Sequence, residues 1–182
     1  MALRAFLTIL GSDAKGETND SKHAAEGAIE VTSWSHEIIQ PRSATASTTG
    51  GHTAERTEHA PMAFTKEIDA SSPKLYQAAS AGTVYPAAKV VFYRAVGGSN
   101  ATQQENNDTP YLQIELTNVV VSRIATRLGD AGHKEGNLPV ETLELSYDEV
   151  KWRYNSSAKD GSNQQFKNIT GGWSLSKNKV VA

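Results

Sequence analysis

A chain of 182 residues with 38% hydrophobic content is long enough for one domain with a core of its own. Its 18 basic and 20 acidic residues leave a net charge of −2, which excludes the basic excess of a nucleic-acid binder. With no cysteine, disulfides, thiolate metal sites and a cysteine nucleophile are excluded as well.

The first apolar run, "LRAFLTIL" (Leu3 to Leu10), is apolar on both faces, as a central strand is. One Arg, a short apolar stretch and no small-residue cleavage site make this N-terminus a first strand rather than a secretion signal. No later apolar run is long enough to span a bilayer, so membrane insertion is not expected. "GSDAKGETND" follows and nearly matches the phosphate-loop pattern, with Gly11, Gly16 and Thr18 in place. Glu17 stands where the phosphate-binding lysine belongs and would repel phosphate, and no helix follows to cradle one. Asp13, Glu17 and Asp20 offer hard oxygens for calcium without EF-hand spacing, so a turn is the plainer reading.

Three long runs change parity midway. "AIEVTSWSHEII" places Ile29 and Val31 on one face, then Trp34 and Ile38 on the other. "YLQIELTNVVVSRI" slips at Asn118, and "ETLELSYDEVKWRY" slips between Tyr147 and Val150. Each is either one strand with a β-bulge or two strands joined by a tight turn; bulges in long strands predict a strongly curled sheet. "MAFTKEI" and "AAKVVFYRA" complete the strand set. One segment has helical spacing instead: "SSPKLYQAASAG", with Ser72 as N-cap, Pro73 at the first helical position, Leu75, Ala78 and Ala79 on one face, and Gly82 as the left-handed stop. The fold class expected is all-β, a compact curled β-barrel of two packed sheets with one flanking short α-helix. Long polar connections fall at about 41–59, 97–109 and 155–170 within a single domain of residues 1–182.

Candidate chemistry is thin. His52 and His59, with Glu55 and Glu58 between them, have metal-ligand residue types but no apolar scaffold to hold them. No G-x-S-x-G elbow is present, so no catalytic residue, metal or cofactor is assigned.

The ordered motifs "KGETND", "VTSWS", "FTKEIDASSPKL" and the late "GGW" resemble the Hcp tube proteins of bacterial type VI secretion systems, with the similarity running from about residue 3 to 179. The resemblance implies a compact β-barrel without enzymatic activity, six copies of which close into a ring. Rings stack into an inner tube that a contractile sheath drives outward, with a VgrG spike at its tip and effectors in its lumen. It further implies that the loop after the second strand, including Ser43, Thr45, Ser47, Thr48, Gly50, Gly51 and His52, reaches the neighbouring ring. Ser35 becomes a lumen or cargo contact, or else a plain exposed strand serine. The chain would be cytoplasmic before assembly and extracellular afterwards, without a signal peptide. His36 departs from the pattern, since the family often has a second tryptophan there. The loops 97–109 and 155–170 look longer than in many members, and no toxin domain follows "GGW". Two other readings stand beside this one: a ring acting mainly as effector carrier or a monomeric ligand-binding barrel, and an enzyme built around His52 and His59.

Overall fold

The computed structural model describes residues 4–41, 56–93, 110–128, 139–156 and 167–181. The chain is mainly β, and its order is β1 (Arg4–Leu10), a 3-10 turn (Ala24–Glu26), β2 (Ile29–Val31), β3 (Ser33–Ser35), β4 (Ile38–Ile39), β5 (Glu58–His59), β6 (Met62–Glu67) and α1 (Ser72–Ala81). It continues with β7 (Val84–Tyr93), β8 (Pro110–Arg127), β9 (Val140–Ser146), β10 (Glu149–Ser156), β11 (Lys167–Ser174) and β12 (Lys179–Val180). Strand β10 runs to Ser156 and β11 begins at Lys167, so ladder positions take in both ends of the segment read as loop 155–170.

The described residues form two sheets, one of ten strands and one of β4 and β5. The larger runs β12-β11-β10-β8-β7-β1-β2, and a branch leaves β8 through β9 to β6 and β3. The expectation of a barrel is corrected here, because this sheet does not close. Strands β2 and β3 are short and part at Thr32; β2 pairs with β1 while β3 pairs with β6. Thr32 itself donates its backbone N–H to Thr65 at 2.8 Å, which turns the chain from one ladder to the other.

The parity slips have a common cause. Strand β8 pairs with β10 up to Thr117 and with β9 from Val120 onward, so one strand serves two partners along the same edge. At the changeover Asn118 takes a left-handed conformation (φ 52°), which an asparagine accepts more readily than most residues. Its side-chain amide donates to Asp148 Oδ2 at 2.9 Å, in the short break between β9 and β10. Asp148 in turn gives its backbone N–H to Thr117 at 3.0 Å. The bend is thus fixed on both strands at once.

Apolar alternation fills the core. Leu7, Ile9, Ile29, Met62, Phe64, Val90, Phe92, Ile114, Leu116, Val121, Leu143, Leu145 and Val150 form one cluster. Phe6, on the opposite face of β1, joins Ala28, Val91 and Tyr93 in a small second cluster, which explains why β1 is apolar on both sides. Helix α1 covers the main core with Leu75 and Ala78, at 0% and 3% exposure. Burial of a side chain such as Leu75 contributes about 1.5–3 kcal/mol.

The start of the helix differs by one residue from the expectation. Ser71 is the N-cap and Ser72 the first helical residue, with Pro73 beside it in the first turn. The Ser72 hydroxyl is drawn away from the helix end to Glu141 Oε1, 2.8 Å away. At the other end Gly82 adopts φ 62°, and the Thr83 N–H closes on Ala78 O at 3.1 Å. That geometry suits a residue without a Cβ.

Candidate functional site

Of the residues singled out by the family resemblance, Ser35 lies on β3, just before the β4–β5 ribbon. Strand β3 is set by its register on β6, Ser33 opposite Thr65, Trp34 opposite Phe64 and Ser35 opposite Ala63. Alternation puts Ser33 and Ser35 on one side, and both are exposed. Trp34, on the other side, lies at the margin of the core rather than within it, its ring 5.1 Å from that of buried Phe92, with 37% of its surface exposed.

Beyond β3 the ribbon forms a stem, with Ile38 opposite His59 and Ile39 opposite Glu58. The stem carries residues 42–55, so Ser43, Thr45, Ser47, Thr48, Gly50, Gly51 and His52 lie outside the described residues. Its base is well tied. Ala60 N–H reaches Glu37 O at 3.0 Å, Thr57 Oγ1 donates to Ile39 O at 3.2 Å, and the Arg56 guanidinium donates to the backbone carbonyl of Leu175.

Beneath the stem sits a cluster whose members are distant in sequence. The Tyr147 hydroxyl is 2.7 Å from His36 Nε2 and 3.0 Å from His59 Nδ1. The two imidazole rings are 5.7 Å apart, and Trp152 packs 6.4 Å from His59. Burial holds the His36 imidazole below its ordinary range, and the neighbouring His59 adds to that. Burial alone does the same for His59 and pushes the Tyr147 phenol upward, so it stays protonated. Histidine at position 36, where the family often has tryptophan, therefore occupies a polar site built around one hydroxyl. His59 is drawn into this cluster with His36 and Tyr147. Among the described residues no three His, Asp or Glu side chains converge as a metal's ligand set.

The "KGETND" stretch wraps the outer face of the β1–β2 edge. Gly16 N–H bonds to Gly27 O at 2.9 Å, and a Cβ at Gly16 would stand 2.3 Å from Ala28 O. Thr18 Oγ1 donates to Glu30 at 2.6 Å and accepts the Asp20 N–H at 3.2 Å. Asp20 is ion-paired with Arg4. Burial opposes ionisation of Asp20, but the Lys22 amide and the Arg4 guanidinium together hold its carboxyl below the usual range. Glu17, Glu30, Glu67 and Asp69 line the same groove, which makes it acidic rather than suited to a phosphate.

A second polar network was not anticipated. Lys66 and Glu141 are 1% and 0% exposed, and Lys66 Nζ lies 2.7 Å from Glu141 Oε1. Lys66 also reaches Asp69 at 2.8 Å, Ser72 Oγ at 3.0 Å and Glu67 O at 2.8 Å. Tyr76 donates to Glu141 Oε2 at 2.7 Å, so both carboxylate oxygens are satisfied. A signal for it exists in the sequence. Lys66 shares parity with Met62 and Phe64, and Glu141 with Leu143 and Leu145, so each sits on the inward face of its strand.

With this geometry in hand, comparison with known proteins is decisive. The family described as "Type VI secretion system effector, Hcp" matches residues 6–154. The chain belongs to the Hcp family. Protein hcp1 of Pseudomonas aeruginosa is 33% identical over 180 residues, covering 98% of both chains. Among solved structures, Hcp1 from Salmonella typhimurium covers 100% of both chains with 28% identity and a TM-score of 0.73. A structure titled as that of a type six secretion system protein gives a TM-score of 0.81 at 24% identity, with 99% and 100% coverage, and bears on the fold alone. The Hcp assignment makes this chain a component of type VI secretion. Among the described residues no helix is long and apolar enough to cross a membrane.

Proposed function

We propose that this Hcp chain is the structural subunit of a type VI inner tube, in which six copies close into a ring and rings stack head to tail. A head-to-tail contact closes by rotation within the ring and extends the assembly along its axis. The observation that carries the reading is the β4–β5 stem, the flank of residues 42–55, which is tied to the body through Arg56, His36 and His59. That is the segment the resemblance assigns to the neighbouring ring. Ser35, exposed on β3 just before the stem, is the proposed lumen contact for effectors, and the VgrG spike and contractile sheath are the further partners. On this reading the subunit is cytoplasmic until assembly and extracellular once the tube is ejected.

The reading is non-enzymatic, and two features support it. Ser72 Oγ lies 3.0 Å from Lys66 Nζ, a pairing seen in some hydrolases, yet both side chains are buried beyond reach of a substrate. The Tyr147 hydroxyl, between two imidazoles, is held protonated rather than activated.

Electron microscopy and native mass measurement test the proposal. Six-subunit rings with a central hole are expected, and a stable monomer at micromolar concentration would overturn it. Deleting residues 45–53 should leave rings intact and abolish stacking; stacks that persist would remove the role given to the loop.

A further inference from the structure

The cluster of His36, Tyr147 and His59 is placed where it can do more than pack. It lies at the root of the stem, where the β4–β5 ladder pairs Ile38 with His59 and the Ala60 N–H reaches Glu37 O. A phenol has one hydrogen to give. With contacts at 2.7 and 3.0 Å, the phenol hydrogen is used within the cluster when one imidazole nitrogen accepts it and the other donates its own N–H to the phenol oxygen. A proton added to the donating histidine goes to its far nitrogen and leaves the chain of hydrogen bonds intact. A proton added to the accepting histidine turns its near nitrogen into a second donor, and the phenol hydrogen then loses its acceptor. When both histidines have taken a proton, two imidazolium rings stand 5.7 Å apart in a half-buried site.

Among the described residues no carboxylate is ion-paired with either imidazole. Trp152 is the neutral neighbour from β10. Asp148 accepts from Asn118, and Glu149 is paired with Lys177. Glu37 and Glu58, on the stem itself, are exposed, and the exposed Arg56 reaches the Leu175 carbonyl.

We propose that His36, Tyr147 and His59 form a proton-operated clamp that holds the β4–β5 stem, between whose strands residues 42–55 run in sequence, against the body at neutral pH and releases it when both imidazoles are charged. The inference rests on the reading of that segment as the ring-stacking loop and adds a condition under which stacking weakens. The clamp acts from one side of the stem only, since Arg56 holds the stem separately through the Leu175 carbonyl. Release is therefore a loosening of the root, not detachment of the loop.

Hydrogen exchange read by mass spectrometry on dilute, unstacked protein tests it, with rates corrected for the intrinsic effect of pH. Protection of peptides spanning 36–41 and 56–60 should fall at least tenfold between about pH 7.5 and about pH 5. Strands β1 and β7 should hold their protection, and the H36Q/H59Q double variant should give the same stem protection at both pH values. Equal protection of the wild-type stem at both pH values, or the same loss in the double variant, overturns the clamp. If that variant does not fold, Tyr147→Phe serves, because without the hydroxyl the stem should exchange fast at either pH; a wild-type pH response in Y147F counts equally against the proposal. Electron microscopy of concentrated, stacked protein at the same two pH values keeps the two readings apart. A stem that opens at low pH while rings stay stacked supports the clamp and overturns the loop's role in stacking.

Discussion

Glu141 receives Lys66 Nζ on one carboxylate oxygen at 2.7 Å and the Tyr76 hydroxyl on the other at 2.7 Å, with no solvent exposure of its own. Tyr76 and Ser72, which also donates to Glu141, belong to α1, whereas Lys66 and Glu141 lie opposite one another on β6 and β9. The ion pair therefore fixes where the helix sits on the sheet. Breaking such a pair from one side leaves a buried charge without a partner. Lys66→Met should cost about 3–5 kcal/mol, whereas K66M combined with Glu141→Leu should recover much of that loss. Urea midpoints at one fixed protein concentration measure both, and a double variant no more stable than K66M would refute the pairing argument.

Gly16 and Gly82 separate two kinds of glycine requirement. At Gly16 a methyl group would meet the Ala28 carbonyl at 2.3 Å, so the backbone must move, and G16A should cost roughly 1–3 kcal/mol. At Gly82 a Cβ meets nothing within 4 Å, and only the left-handed φ of 62° opposes it. G82A should then cost about 1 kcal/mol, and Gly82→Asn less. Thermal melts of the three variants rank these effects.

Asn118 carries both a left-handed backbone and the hydrogen bond to Asp148. N118A loses both and should destabilise by about 1–2 kcal/mol. N118G keeps the backbone and should lose less. Equal losses would place the whole effect in the side-chain bond, which denaturant titration of the pair would show.

Stability should also depend on pH in a definite direction. Burial lowers the imidazoles of His23, His36 and His59 below their ordinary value. A base whose folded value is depressed resists protonation in the fold, so the unfolded chain binds more protons below about pH 6.5. Its stabilising contribution is complete above that value and shrinks as pH falls. Asp20, whose carboxyl is lowered, acts in a separate window, with its contribution lost only as pH falls through the carboxylate range. The urea midpoint should be lower at about pH 5 than at about pH 7.5, and replacing His23 by Gln should flatten part of the slope.

Much of the fold was legible because period-two alternation survives wherever one face is buried. The strands around Met62, Val90, Leu116 and Leu143 show this, as does the 3.6-residue spacing of Leu75 and Ala78 in α1. The slips at Asn118 and Asp148 marked a real bend, but not that β8 divides its edge between β9 and β10, since local pattern carries no partner identity. Closure failed for the same reason, because β2 and β3 look like one strand with a slip and pair in different ladders. The Lys66–Glu141 pair was readable from parity, yet charged residues on inward positions are easily assigned to solvent. The His36–Tyr147–His59 cluster was out of reach, because 111 residues separate His36 from its partner hydroxyl.

Strand β8 runs 18 residues, and at roughly 3.4 Å per residue its contour is about 60 Å. It is zipped to β7, β9 and β10, all antiparallel to it. Force along that axis loads the ladders in shear, where many hydrogen bonds must fail together, instead of peeling them one at a time. The strand is laid out as a tie-rod through the chain. A pull along it meets its greatest resistance where the ladders run unbroken, and the bend at Asn118, where β10 gives way to β9, interrupts the edge those two strands share.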